Sequence, residues 1–329
     1  MIIKRRAFLK QSQQIGLGLG LLSVPVLFSA CNEVKEGMDK SEEATKEVVK
    51  TAASPFKISL AQWSLNKALF AKEIDNLDFA SVTKNTYGLD GIEYVNQFFP
   101  DKAEDTSYLK EMNKRAADNG VNQLLIMIDR EGDLGNLNDK ERIKAVEKHY
   151  KWVTAAKELG CHSIRVNAFG EGSAEDVKKA AIDGLGRLSE FGANHSINVI
   201  VENHGSWSSN GQWLSDVMEK VNMPNCGTLP DFGNFCIKRE SGKAWDGNCI
   251  EEYDKYKGVK EMLPYAKALS AKSFRFNAEG EEPDIDFGRM IKLAREANYK
   301  GYIGIEYEGD ELSAEEGIKA TIALLKKYI

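Results

Sequence analysis

The sequence predicts an α/β fold, a single-domain (β/α)8 barrel over residues 55–329, preceded by a leader and a tether. Two patterns carry this reading. Eight short β-rich runs alternate with helical stretches over about 275 residues. Several of those runs also finish on acids, most plainly NVIVENHG, where Glu202 closes a run that otherwise reads as buried. A doubly wound open sheet is the rival architecture, but eight regular units without a nucleotide loop do not suit it. The one Gly-rich candidate, GLGLGLL from Gly16, has no strand before it and no acid at the dinucleotide spacing after it.

The first thirty residues stand apart from the barrel. A basic start, KRRAFLK from Lys4, contains a twin-arginine pair and leads into IGLGLGLLSVPVLFSA, too short and too Gly-rich for a spanning helix. RRAFLK resembles a twin-arginine export signal, with Lys4 where Ser or Thr is usual, and LFSAC resembles a bacterial lipobox, with Phe28 in a slot commonly held by Leu. Together they imply export, cleavage before Cys31, and lipidation of Cys31. The product would be a periplasmic or cell-surface lipoprotein, at the membrane only through its anchor. Residues 31–54 are polar, mixed in charge and poor in aromatics, and read as a solvated tether.

From Phe56 onward the β-rich runs begin at Lys57 (KISLAQWSL), Gly91 (GIEYVNQFF), Asn122 (NQLLIMID), Ser163 (SIRVNAFG), Asn198 (NVIVENHG), Cys226 (CGTLPDFGNF), Leu269 (LSAKSFRF) and Tyr302 (YIGIEYEG). Between them, stretches such as DKERIKAVEKHYKWVTAAKELG repeat apolar residues every three or four positions, the helical period. Gly160, Gly192 and Gly301 sit where helix-stop or loop glycines belong. Cys161, Cys226, Cys236 and Cys249 read as buried free thiols, with Cys236 and Cys249 the pair an oxidising compartment would join first.

A barrel gathers the C-terminal tips of its strands at one mouth, so residues there can be pooled. Strand five delivers Glu202, strand six Asp231 and strand eight Glu306, with Asn203, His204, Asn234 and Glu308 close behind. Like charges within about 4 Å repel by roughly 4 kcal/mol per pair at an effective dielectric near 20. Such a cluster persists if some acids are protonated or if a divalent cation sits among them. Oxygen and imidazole ligands suit Mn, Mg, Co or Zn. The structural alternative is that these acids bond loop amides or pair with Lys272 and Arg275. Lys272 itself either pairs with an acid or holds a substrate oxygen, and His204 is either a ligand or a hydrogen-bonded loop residue. Gln62, Trp63, Glu93, Asp129 and Asn167 are placed to line the cup, and Trp207 or Phe232 to stack on a sugar. His149, His162 and His195 fall in or near helices, away from the mouth, and carry no role.

At these residues the chain resembles the sugar phosphate isomerase/epimerase family, the xylose isomerase-like TIM barrels that include tagatose epimerases and type IV endonucleases. The likeness runs from Phe56 to Ile329 and is concentrated in VIVENHG, GTLPDFGNF, AKSF and GYIGIEYEG. It implies one divalent metal ion on Glu202, Asp231 and Glu306, with Glu202 and Glu306 also moving protons. Two positions depart from the family pattern. The strand-seven histidine is absent, with Ser270 or Lys272 in its region and His204 as a substitute imidazole, and Asn234 replaces a histidine three residues beyond the strand-six acid.

The activity so implied is proton abstraction next to a carbonyl of a sugar or keto-sugar, through a metal-stabilised enediolate, giving isomerisation or epimerisation. Glu202, Glu306 and Lys272 are the catalytic candidates; Asn203, Asn234, Trp63, Glu93 and Asn167 are the sugar contacts. The same enediolate gives a lyase on 3-keto glycosides if the neighbouring oxygen leaves, and a sugar-binding lipoprotein without chemistry is the third reading. Phosphodiester hydrolysis suits a mouth richer in histidine than this chain with its four. A net charge of -6 argues against nucleic acid as a partner. Homo-oligomerisation is left open.

Overall fold

The computed structural model describes residues 54–329 apart from Ala244, so the leader, Cys31 and most of the tether lie outside the described residues. Eight parallel strands form the sheet: β1 (Phe56–Ala61), β2 (Gly91–Val95), β3 (Asn122–Met127), β4 (Ser163–Val166), β5 (Asn198–Glu202), β6 (Cys226–Leu229), β7 (Leu269–Ser273) and β8 (Gly301–Tyr307). Neighbours in sequence pair in space from β1 to β6, and β8 lies between β1 and β7. The ring closes between β6 and β7 through two isolated parallel bridges, Thr228 with Ala266 and Asp231 with Ser270. The expected barrel is present, and each strand coincides with its predicted run, β1 and β8 beginning one residue earlier at Phe56 and Gly301.

A helix follows each strand: α1 (Phe79–Tyr87), α2 (Thr106–Asp118), α3 (Asp139–Glu158), α4 (Ala174–His195), α5 (Gly211–Val221), α6 (Lys255–Met262), α7 (Phe287–Glu296) and α8 (Ala314–Tyr328). Most of them begin on a side chain that caps the first turn. Asp105, Asn138, Ser173, Asn210, Asp254, Asp286 and Ser313 each accept a hydrogen bond from a first-turn amide. Such a cap is worth about 1 kcal/mol and fixes where each βα loop ends. In α7 the buried residues Phe287, Met290, Ile291 and Ala294 share one stripe, which turns the helix onto the barrel wall. Gly192 departs from expectation: it lies inside α4, which continues to His195, and the returning chain packs so closely that a Cβ there would meet the carbonyl of Ile197 at 2.8 Å. No helix of the described residues is long and apolar enough to cross a membrane.

Inside the ring, Ala61, Val95, Leu125, Met127, Ile200, Leu229 and Ala268 form their own apolar cluster, separate from the larger one between strands and helices. Glu93 belongs to this interior. Its Oε1 accepts from the Ser59 hydroxyl at 2.7 Å, and a Cβ on Gly304 would fall 2.4 Å from the same oxygen. Glycine at 304 therefore makes the space that Glu93 occupies. Burial, partly offset by Ser59, pushes this carboxyl up to about 7.

One element has no counterpart in the sequence reading. Between β6 and α6 the chain forms an antiparallel hairpin whose arms are Cys236–Arg239 and Cys249–Glu252. Its second arm is exposed along its whole length, so no buried alternation marks it in the sequence. Cys236 and Cys249 are joined as a disulfide across 13 residues, which corrects the free-thiol expectation for that pair; Cys161 and Cys226 are buried thiols as expected. Closing a loop of this size restricts the open hairpin by about 3 kcal/mol in the chain-entropy account. With both cysteines replaced by serine, limited proteolysis between residues 239 and 249 should speed up at least tenfold while the barrel's unfolding midpoint stays put; equal cleavage rates would show that the hairpin holds itself without the bond.

Candidate functional site

The C-terminal end of the ring carries a cavity of about 520 Å³, lined among others by Trp63, Asp129, His149, Arg165, Asn167, Phe169, His204, Trp245, Lys272, Glu306 and Glu308. Its floor follows from strand register. Glu306 and Lys272 are paired neighbours on β8 and β7, and Lys272 Nζ lies 3.0 Å from Glu306 Oε1 and 3.2 Å from Glu308 Oε2. Trp63, just past β1, lines the same cavity as Glu308.

Glu202, Asp231 and Glu306 converge, each offering a carboxylate oxygen within 4.8 Å of the others. All three are buried, at 0%, 0% and 3% exposure, so their charges are not dispersed by solvent. Asp231 is held by its own turn and by barrel closure. Its Oδ1 accepts from the amides of Gly233 (2.9 Å) and Asn234 (2.8 Å), and its Oδ2 accepts from Ser270 at 2.5 Å. Ser270 thus occupies the strand-seven position beside the acids, and Lys272, two residues on, supplies the positive charge.

Arg165 on β4 was missed by sequence reasoning. Its Nε lies 2.9 Å from Glu202 Oε2 and its Nη1 2.8 Å from Asp129 Oδ1, with 4% of its side chain exposed. The one signal was a charge inside the apolar run SIRV, two residues before Asn167. Arg165 and Lys272 show that the acids are partly compensated by the chain itself.

Three expected sugar contacts are engaged within the protein instead. Asn203 is fully buried; its Nδ2 donates to the carbonyls of Asp231 (3.0 Å) and Asn234 (3.1 Å), and its Oδ1 accepts from the Asp231 amide at 2.7 Å. Asn234 donates to Glu202 Oε1 at 2.9 Å. Glu93 sits in the barrel interior, and Gln62 bridges Asn76 and the Val95 amide. These amides and acids brace strand tips, because a buried polar group must find a partner nearby. Phe232 packs edge-on against Phe287 in the core, and Trp207 donates to the Gly172 carbonyl. Trp63 and Asn167 do line the cavity.

His204 lines the cavity but is not among the converging ligand atoms. Its Nδ1 is 2.7 Å from Asn167 Oδ1, and Asn167 in turn donates to Asp129 Oδ1 at 2.8 Å. This chain orients the ring through Nδ1 toward Asn167, the hydrogen-bonded role that the sequence left open beside that of ligand. Burial and the nearby Arg165 push His204 down to about 3, so it meets a ligand as a neutral ring. His149, expected to stand away from the mouth, lines the cavity wall.

Burial dominates the acids too. It pushes Asp231 up to about 6 and Glu306 up to about 8; Lys272 opposes both shifts, while the neighbouring acids add to them. Burial would also raise Asp129 and Glu308, but their polar neighbours, led by Arg165 and Lys272 respectively, together hold them low. Lys272 is held well above its ordinary value, since the surrounding carboxylates outweigh its own burial.

The donor set fits a divalent cation. Five acids (Asp129, Glu202, Asp231, Glu306, Glu308) face two cations (Arg165, Lys272), leaving an excess of three negative charges when all are ionised. Glu202 Oε2 also lacks a hydrogen bond of good geometry despite its ion contact with Arg165, so a buried lone pair remains available.

Residues 84–328 match the profile of the xylose isomerase-like TIM barrel family, and the chain belongs to that family. No curated protein matches the sequence. Among solved structures, the IOLI protein with a bound zinc atom is 17% identical with a TM-score of 0.63, covering 83% of this chain and 99% of its own. A D-psicose 3-epimerase crystallised with D-fructose is 14% identical with a TM-score of 0.59, and 3-keto-D-glucoside 4-epimerase YcjR from E. coli is 14% identical with a TM-score of 0.57. Each covers 83% of this chain and 99% of its own. At these identities the likeness shows the fold alone.

Two outcomes test this electrostatic description. Arg165→Met strands Glu202 and Asp129 without a counter-charge and should destabilise the protein by about 3–5 kcal/mol in urea unfolding. Adding Glu202→Gln should recover part of that, and no recovery would sink the pairing. In EDTA, Asp231 and Glu306 bind protons more tightly folded than unfolded, so stability should fall as pH rises from about 5 to about 8. A flat profile there would mean that both acids ionise freely.

Proposed function

We propose that this protein is a metal-dependent sugar isomerase or epimerase that moves a proton at the carbon next to a carbonyl. The convergence of Glu202, Asp231 and Glu306 within 4.8 Å, at the base of a cavity shared with Lys272, carries the reading. The family membership and the epimerases among similar folds support it. Glu202, Asp231 and Glu306 would hold one divalent ion, which when bound supplies positive charge to the oxygens of the substrate and so favours the enediolate.

The chain's own residues supply the rest. Glu306 lines the cavity beside Lys272, where its carboxylate can take the proton from the carbon next to the carbonyl and return it. Glu202 is the second proton-moving acid, its Oε2 carrying the lone pair that no donor aligns with. Lys272 stays charged beside Glu306 and Glu308 and steadies negative charge developing on a substrate oxygen. Asn167 and neutral His204 offer hydrogen bonds to hydroxyls on the far wall, and Trp63 offers an apolar face. Asn203 and Asn234 act through the acids they orient. If an oxygen on the adjacent carbon leaves, the same arrangement performs elimination; AsbF from Bacillus anthracis, a probable 3-DHS dehydratase of similar fold at 16% identity and TM-score 0.58, supports keeping that reading.

We further propose that the barrel is exported as a lipoprotein anchored at Cys31. The exposed Cys236–Cys249 disulfide supports an oxidising compartment.

Purified protein should carry about one divalent ion per chain by elemental analysis. In D₂O the metal-loaded protein should exchange the proton beside the carbonyl of at least one keto-sugar in a broad panel, and Glu306→Gln should slow that exchange by about 10²–10⁴. Undiminished exchange in the variant would place the base elsewhere. Cys31→Ser should shift the protein from the membrane to the aqueous fraction; a protein that stays membrane-bound would remove the anchor.

A further inference from the structure

The tip of the disulfide-closed hairpin reaches the cavity. Trp245 lines it while remaining 51% exposed, a costly position for so large an apolar ring. Its ring centroid is 4.3 Å from that of His204 at a 49° tilt, and 6.5 Å from that of Phe169. Phe169 itself lies nearly parallel to His204, 6.0 Å away. Three rings from three separate segments thus form one wall. Trp63, just past β1, belongs to the opposite side of the mouth, since β1 stands four strands from β5 in the ring.

The reacting groups lie on the strand ends rather than in the wall's loops, Glu202 being the last residue of β5. Glu306 and Lys272 belong to β8 and β7, whereas Phe169 and His204 follow β4 and β5. At about 520 Å³ the cavity sits in the middle of the range that encloses drug-sized ligands, roughly 300–1,000 Å³, and one pyranose at the acids would leave much of it unfilled. A pyranose presents a face of C–H bonds that lies well on the electron-rich face of an aromatic ring. His204 and Asn167 are held in place through each other and Asp129, and the two further rings, Phe169 and Trp245, extend this wall as apolar surface.

We propose that Trp245 and Phe169 form an outer subsite for a second sugar ring, so that the substrate is a glycoside rather than a free monosaccharide. This rests on the isomerase or lyase reading of the inner site, and it assigns the hairpin a purpose: the Cys236–Cys249 bond fixes the arm that carries Trp245 over the mouth. The inner ring meets Glu306 and Lys272, and the outer ring lies on Trp245.

Calorimetric titration of the metal-loaded protein with glucose, methyl β-glucoside, cellobiose, maltose and lactose tests this. At least one disaccharide should bind about tenfold tighter than either monosaccharide. Trp245→Ala should lower that disaccharide-to-monosaccharide ratio about tenfold, and Phe169→Leu and the Cys236→Ser/Cys249→Ser double variant should lower it in the same sense. Trp245 is exposed on a hairpin outside the barrel, so its loss leaves the fold intact, and circular dichroism checks this. Equal affinity for one and two rings, no binding by any disaccharide, or a ratio unmoved by all three changes would overturn the subsite. Keto-sugar exchange in D₂O reports separately: exchange without a two-ring preference sinks the subsite alone, while a two-ring preference without exchange sinks the inner chemistry alone.

Discussion

Buried carboxylates can share a basin only if positive charge is brought to them, and this requirement organises the end of the barrel. Glu202, Asp231 and Glu306 come within 4.8 Å of one another with almost no solvent contact. Arg165 from β4 and Lys272 from β7 approach from two sides, at 2.9 Å and 3.0 Å. Two cations do not balance the acids around them, and the residual negative charge suits the site to a proton or a divalent ion. A site balanced by its own residues would have no reason to bind either.

Strand register and closure deliver this arrangement. In a parallel strand alternate residues face the same way, so Ile200 and Glu202, Ser270 and Lys272, and Gly304 and Glu306 fall in successive inward layers. Apolar and small residues fill the lower layer, and ionisable ones the upper. Closure through the Asp231–Ser270 bridge then brings the strand-six acid beside the strand-seven hydroxyl. Asn203 and Asn234 lock the turn after β6 with hydrogen bonds to backbone and acid, so the carboxylates are oriented before any ligand arrives.

The rim follows different rules from the floor. Its parts come from loops and from a hairpin outside the barrel repeat, and a covalent bond stands in for the core that such a small element lacks. Loops on a rigid scaffold can change without loss of the fold, and they are where members of one fold come to differ in what they bind.

The barrel was legible in the sequence because its periodicities are local: each β-rich run and each helical stripe is set by neighbours two to four residues apart. The acids at the tips of strands five, six and eight were legible for the same reason, since a carboxylate closing an apolar run has few uses in a core. Lys272 was named with both its roles open, and the structure pairs it with Glu306 and Glu308. What the sequence could not supply were relations across the ring. Arg165 looked like one charge within a strand until β4 and β5 were placed side by side. His204 was left with two roles open, and its hydrogen bond to Asn167 came only with the fold. Trp245 gave no sign at all, because the exposed hairpin tip that carries it has no buried face to impose a pattern. Short-range burial thus wrote the fold into the chain, while the choice of partner for each buried charge, and of ring for each wall, came only with tertiary contact, where distance along the chain no longer governs distance in space.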